Sequence, residues 1–192
     1  EYSQFWHKRW YWNLELSSGC FANQAVHEMD ILRWGLGIDT HPTQVSAMGG
    51  NFVHQDDRTS PTHVAITYKF GEEHPLVSYE HRSWYTNSEA GFRDKFPFVQ
   101  PDYPVGTIFF GSEGYMIIPD YSSYHTFLGL KGEPGPSKAD ETQTMADLPH
   151  FQNWVAAIRA RDHKVLNADI EEGHKSMAMS LLARTAYQVG RP

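Results

Sequence analysis

The sequence predicts an α+β fold, and three observations carry the prediction. Apolar residues recur at helical spacing near the start, strand-like segments fill the middle, and the last third returns to helical periodicity. Residues 1–16 (EYSQFWHKRWYWNLEL) come first and are densely aromatic, with Phe5, Trp6, Trp10, Tyr11 and Trp12 among His7, Lys8 and Arg9. They show no clear period and are expected to form an ordered arm against a pocket or a partner. In residues 21–36, Phe21, Ala25, Met29, Leu32 and Leu36 keep spacings of three and four, which predicts a helix ended by Gly37 in a left-handed conformation.

Beyond Pro42, TQVSAMGGNFV reads as a strand whose glycine pair marks an expected bulge or tight bend. THVAITYKF (62–70) and PLVSYEHRSWY (75–85), joined by a short loop, read as a hairpin. Residues 86–105 are rich in Gly, Pro and Asp and predict a long loop. GTIFFGSEGYMIIP predicts two short strands about a Gly-Ser-Glu-Gly turn, with a further strand from Tyr121 to Leu128. Residues 129–149, poor in apolar side chains, are expected to be a surface excursion. Pro149 suits the first turn of a helix carrying Phe151, Trp154, Val155 and Ile158. Asp169 and Glu172 have capping-box spacing for a last helix, whose apolar face would be Ile170, Met177, Leu181, Leu182 and Thr185 and whose stop is Gly190.

Composition narrows the function. The 192 residues are 20% charged and 14% aromatic, opposite to a disordered composition, and suit a single domain over 1–192. A formal net charge of −7 argues against a phosphate-backbone binder, so no nucleic-acid partner is expected. No apolar run approaches the roughly 20 residues that span a bilayer, so no membrane partner is expected. One cysteine, Cys20, excludes an intrachain disulfide, and with no visible signal peptide a cytoplasmic setting is expected. The chain has no GxGxxG, GxxxxGK[ST], HExxH or GxSxG motif. No histidine pair has the i, i+4 ligand spacing on a helix, and no metal is expected.

The constellation that carries chemistry is Asn23, His27 and Asp30 in SGCFANQAVHEMD. On a helix Asn23 and His27 lie one turn apart on one face, and Asp30 is placed to orient the imidazole. A histidine near neutral pH beside a polar partner suits general acid–base work; a helical histidine satisfied by its neighbours is the alternative reading. Ser17, Ser18, Gly19 and Cys20 are small enough for a ligand to approach the helix mouth. Gln24 at that mouth, Trp12 in the arm, and Arg82 and Trp84 on the strand HRSWY are candidate ligand contacts, since aromatic faces stack on rings and Arg binds anions bidentately.

SSGCFANQAVHEMDILRWGLG resembles the motif that comes after the nucleotide-binding domain in the Gfo/Idh/MocA oxidoreductases. PTQVSAMGGNFVHQDDRTSPTH, GTIFFGSEGYMII and the tail from His150 agree with it, so the resemblance covers about residues 5–191. It implies an open, mainly antiparallel sheet with helices packed on one face, acting as the substrate-binding and oligomerisation domain of an NAD(P)-dependent dehydrogenase of sugars, polyols or related compounds. It implies that His27 is the general acid/base and that an N-terminal Rossmann domain, absent from this chain, binds NAD or NADP. The exposed sheet face, expected to show Ile, Val and Tyr, would join a homo-oligomer. The family's usual aspartate is Asn23 here, an amide that hydrogen-bonds but carries no charge. A non-catalytic ligand-binding or assembly module of the same fold is the alternative.

Overall fold

The computed structural model describes residues 9–53, 55–84, 106–138 and 147–191. They form two compact units, one from the residues up to 84 together with 174–191, the other from 106–138 and 147–173. Both are built from antiparallel sheet and helix, so the fold class is α+β. The expected loop at 86–105 lies outside the described residues, as does the start of the aromatic arm.

In the first unit a 3₁₀ turn at Gly19–Phe21 leads into α1 (Ala25–Leu36), which Gly37 ends at φ +63°. The sequence places the helix start at 21; a tighter turn occupies that stretch, with the Ala22 and Asn23 amides both donating to the Gly19 carbonyl. Strands β1 (Gln44–Gly50), β2 (His63–Lys69) and β3 (Val77–Arg82) form an antiparallel sheet in that order. Its register runs unbroken from Gln44↔Lys69 to Gly50↔His63, so the glycine pair marks no bulge. Gly49 is required for another reason: a Cβ there would collide with the His63 carbonyl and the Val64 side chain.

Strand alternation puts Val45, Val64, Ile66, Tyr68, Val77 and Tyr79 on one face, where they join Met29, Leu32, Met179, Ala183 and Ala186 in a single core. The opposite face carries Ser46, Met48, Ala65, Thr67, Ser78 and Glu80, not the Ile, Val and Tyr expected there. Those large side chains all fall on the helix side because the pleat allows each strand one buried set.

The last helix, α3 (Ile170–Val189), corrects a second expectation. Ile170, Met177, Leu181 and Leu182 are exposed, whereas Ser176, Met179, Ser180, Ala183 and Ala186 are buried. Small residues let the helix sit close to the sheet, close enough for the Tyr68 hydroxyl to donate to the Met179 carbonyl at 3.4 Å. The helix does begin at its expected cap, since the Asp169 carboxylate accepts from the Ile170 amide, and Gly190 at φ +70° ends it.

The second unit contains β4 (Thr107–Phe110), β5 (Gly114–Ile118), β6 (Tyr124–Leu128) and β7 (Glu133–Lys138), an antiparallel meander in sequence order. Strand β7 lies within the expected surface excursion. Its two prolines are tolerated because it is an edge strand, where a missing N–H breaks no ladder on the open side. Helix α2 (Asp147–Ala160) has Pro149 in its first turn and keeps Phe151, Trp154 and Ile158 exposed, with Ala157 buried.

Met179 is fully buried where α3 meets the sheet. Met179→Ala should lower unfolding free energy by about 2–5 kcal/mol, read as a shift of the urea midpoint at constant slope.

Candidate functional site

The site is built where the aromatic arm, the glycine turn and the first turn of α1 meet. Residues Arg9–Trp12 form a 3₁₀ turn whose end is tied to the β1–β2 loop: the Trp12 carbonyl accepts from the Thr59 and Ser60 amides at 3.1 and 2.9 Å. Trp12 packs edge-on against Tyr11 and carries the Arg58 guanidinium over its ring at 5.1 Å. Gly19 sits at φ +51° with its Cα against Ser60, so any Cβ would overlap the serine side chain. Behind it, Cys20 and Phe21 are fully buried.

His27 lies on the exposed side of α1 in its first turn, and its backbone amide donates to the Gln24 carbonyl at 3.1 Å. Asn23, also exposed, occupies the turn that precedes the helix and shares a side-chain hydrogen bond with the Tyr11 hydroxyl. Gln24 donates through Nε2 to the Glu28 carboxylate at 3.2 Å, and Glu28 is buried. Asp30, expected to orient His27, is held by other partners. Its carboxylate accepts from the Ser176 hydroxyl at 2.6 Å and lies 4.0 Å from Arg33, because the buried Arg33 guanidinium requires a counter-charge where α1 meets α3.

The other two candidates sit elsewhere. The pleat puts Arg82 on the sheet face opposite the helices, paired with Glu80 at 3.1 Å, which also bonds His63 at 3.0 Å. Trp84 lies just past the end of β3 and is half exposed. Asn23, Gln24 and His27 therefore share the helix mouth, with Trp12 tied beside it through Tyr11. His174 lies on α3 with its ring 5.5 Å from that of His41. Among the described residues no three His, Cys, Asp or Glu side chains gather as a metal site would require. No described helix is long and apolar enough to cross a membrane.

Sequence reasoning missed the groups beneath the mouth. Burial pushes the Tyr79 hydroxyl well above the ordinary phenol range, with Cys20, Glu28, Tyr68 and Tyr11 as further contributors. Burial also raises Tyr11, seconded by Cys20 and opposed by the Asn23 hydrogen bond. Burial pushes the Cys20 thiol up to about 11, against the pull of the Ser60 hydroxyl. Burial likewise holds His81 below the usual imidazole range, with His63 adding to it. Alternation along VSYEHR was the available signal: Tyr79 and His81 share the face of Val77, and Arg82 does not. The result is a layer of neutral phenols over a fully buried thiol, beneath an exposed imidazole and two amides, a surface able to hydrogen-bond a polar ligand and exchange a proton with it.

The family model described as GFO/IDH/MocA C-terminal domain matches residues 1–96, half of the 192-residue chain. All the candidate residues from Trp12 to Trp84 fall inside that match. An oxidoreductase from Agrobacterium radiobacter, solved in complex with NAD+, L-tartaric acid and magnesium, is similar in fold. Its TM-score is 0.60 at 11% identity, covering 99% of this chain and 52% of that one. The WlbA dehydrogenase from Bordetella pertussis, solved with NADH and UDP-GlcNAcA, matches with a TM-score of 0.49 at 14% identity, covering 88% of this chain and 42% of its own. The chain thus spans about half the length of these solved structures. No curated protein matches the sequence.

A raised thiol pKa fixes a sign. The folded state holds Cys20 protonated, so its share of stability is intact below pH ~8.5 and fades as the pH climbs toward about 11. The thiolate absorbance difference between the native protein and Cys20→Ser should stay flat through pH ~8.5 and rise only toward about 11. A rise centred at the ordinary value would show that the thiol is not in the dry setting described.

Proposed function

The chain belongs to the GFO/IDH/MocA C-terminal domain family, and on that premise we propose that it is the substrate-binding and oligomerisation domain, 1–192, of an NAD(P)-dependent oxidoreductase. The proposed substrates are sugars, polyols or related compounds. The observation that carries the reading is the exposed His27 in the first turn of α1, beside Asn23 and Gln24, inside the residues that the family model matches. The similar oxidoreductase from Agrobacterium radiobacter was solved with NAD+, which supports the cofactor.

The nucleotide is assigned to a domain outside this chain. The glycine turn from Gly111 to Gly114 joins two antiparallel strands and opens no helix, so it cannot cradle a pyrophosphate as a strand–turn–helix does. Bound NAD(P) would supply hydride transfer at its nicotinamide ring. This chain's residues would handle the proton. His27 would take the hydroxyl proton of an alcohol being oxidised, or return one to a carbonyl being reduced. Asn23 would hydrogen-bond the same oxygen or its neighbour, and being neutral it would not stabilise an imidazolium by charge. Gln24 and Trp12 would contact the substrate at the mouth, and Arg82 and Trp84 would touch it only where it reaches the end of β3. A cytoplasmic setting and a homo-oligomer complete the proposal. The second sheet supports self-association, since Ile108, Phe110, Tyr115 and Phe127 share a face on which Phe110 is 81% exposed.

One observation favours the second reading, a non-catalytic module: an amide, Asn23, stands at the position of the family's carboxylate and is already engaged by Tyr11.

In the full-length polypeptide, assayed with NAD+ or NADP+ against a panel of aldoses and polyols, His27→Ala should cut kcat about 10²–10⁴-fold with folding intact. Unaltered turnover in that variant, or none in the parent with any of the panel, would favour the non-catalytic module. Sedimentation at micromolar concentration should show a dimer or larger species; a monomer alone would remove the oligomerisation role.

A further inference from the structure

We propose that Arg184, on α3, is a positioning residue of the candidate site. The proposal rests on the reading of the α1 mouth as the substrate site. Arg184 is far from Asn23 and His27 in sequence, and no motif points to it. Its guanidinium is partly buried and donates to two groups of the segment that precedes α1. Nη1 reaches the Ser18 hydroxyl at 3.2 Å, and Nη2 reaches the Leu14 carbonyl. A guanidinium can do this because its donors are fixed in a plane and spread over a fork, so one side chain holds two points of a loop at a set separation.

The segment held in this way cannot hold itself. Residues 13–18 form no helix or strand; their own bonds are single turns, such as the Leu16 and Ser17 amides donating to the Asn13 carbonyl and the Gly19 amide to the Ser17 hydroxyl. From outside, the Thr59 hydroxyl accepts from the Leu14 amide at 2.8 Å, and the Ser60 and Thr59 amides bind the Trp12 carbonyl. Arg184 therefore closes the side that the β1–β2 loop leaves open. Leu14 is gripped through both its backbone groups, by Thr59 at its nitrogen and Arg184 at its oxygen.

The candidate site begins immediately downstream of this clamp. Ser18 leads into Gly19, whose carbonyl accepts from the Ala22 and Asn23 amides. A shift at Ser18 thus passes directly to the turn that presents Asn23 and starts α1. It also uncovers Cys20, which is fully buried beneath the same turn and is the one cysteine of this chain. Cys20 is therefore a built-in reporter of the turn's position, and it reports without substrate or turnover.

The test is made on the full-length polypeptide, with N-ethylmaleimide labelling of Cys20 and amide hydrogen exchange over 13–24 both resolved by peptide mass spectrometry. Arg184→Ala should speed Cys20 labelling and exchange over 13–24 by roughly ten- to a hundredfold, the loss of charge-assisted hydrogen bonds, while β2 stays as protected as in the parent. Arg184→Lys, which keeps the charge and its N–H donors but not the planar fork, should recover part of the protection. Ser18→Ala, which removes one of the two bonds without disturbing α3, should give a severalfold effect and serves where Arg184→Ala does not fold. Unchanged labelling in both Arg184→Ala and Ser18→Ala would overturn the proposal. So would an equal rise in β2, which would mean that Arg184 supports the whole unit rather than the turn. Neither result depends on whether His27→Ala loses turnover.

Discussion

The close seating of α3 on the first sheet is the constraint on which the rest of that unit depends. It relies on a stripe of small residues, Ser176, Ser180, Ala183 and Ala186, with Met179 as the one large side chain among them. Larger groups along that stripe would push the helix away and open the Tyr68 hydroxyl to Met179 carbonyl contact. Close seating also makes the buried Arg33 tolerable. At 2% exposure its guanidinium needs partners, and α3 brings one of them: the Ser176 hydroxyl, which accepts from Arg33 at 3.0 Å and donates to Asp30. Lys175, one residue earlier, meets Asp39 just past the end of α1. One helix thus fixes the C-terminal half of α1, and the site rides on the first turn at the other end.

Much of this was legible in the sequence where burial is carried by large apolar side chains. The spacing of Ala25, Met29 and Leu32 placed α1, and the alternation in HVAITYK placed β2 with its buried Val64, Ile66 and Tyr68. Legibility failed where burial is carried by small or polar residues. A hydrophobic count ranks Leu181 and Leu182 above Ser176 and Ser180, yet close packing against a sheet selects the second pair. The strand β7 was illegible for a different reason. Its sequence, EPGPSK, has loop composition, and only its position at a sheet edge permits two prolines in a ladder.

The candidate site divides along the same line. Nearness in sequence brought Asn23, Gln24 and His27 to one end of α1, with Asn23 in the tight turn that precedes the helix and His27 in its first turn. Partner choice could not be read in the same way: Asp30 is three residues from His27, a distance that permits contact, but the buried guanidinium of Arg33 competes for the carboxylate. Strand parity decided Arg82, since one residue of offset moves a side chain to the other face. Tyr79 and His81 take the inner positions, which an anion-binding reading of the strand leaves out of account.

Asn23 is best understood together with the layer below it. A carboxylate at that position would sit above Tyr11, Tyr79 and Cys20, all groups whose burial already disfavours their charged forms. An amide carries no charge and still satisfies the Tyr11 hydroxyl. The same neutrality leaves the mouth without a fixed negative charge from this turn. In this arrangement the turn ahead of α1 offers a ligand a neutral amide, a donor and an acceptor in one side chain, beside the imidazole.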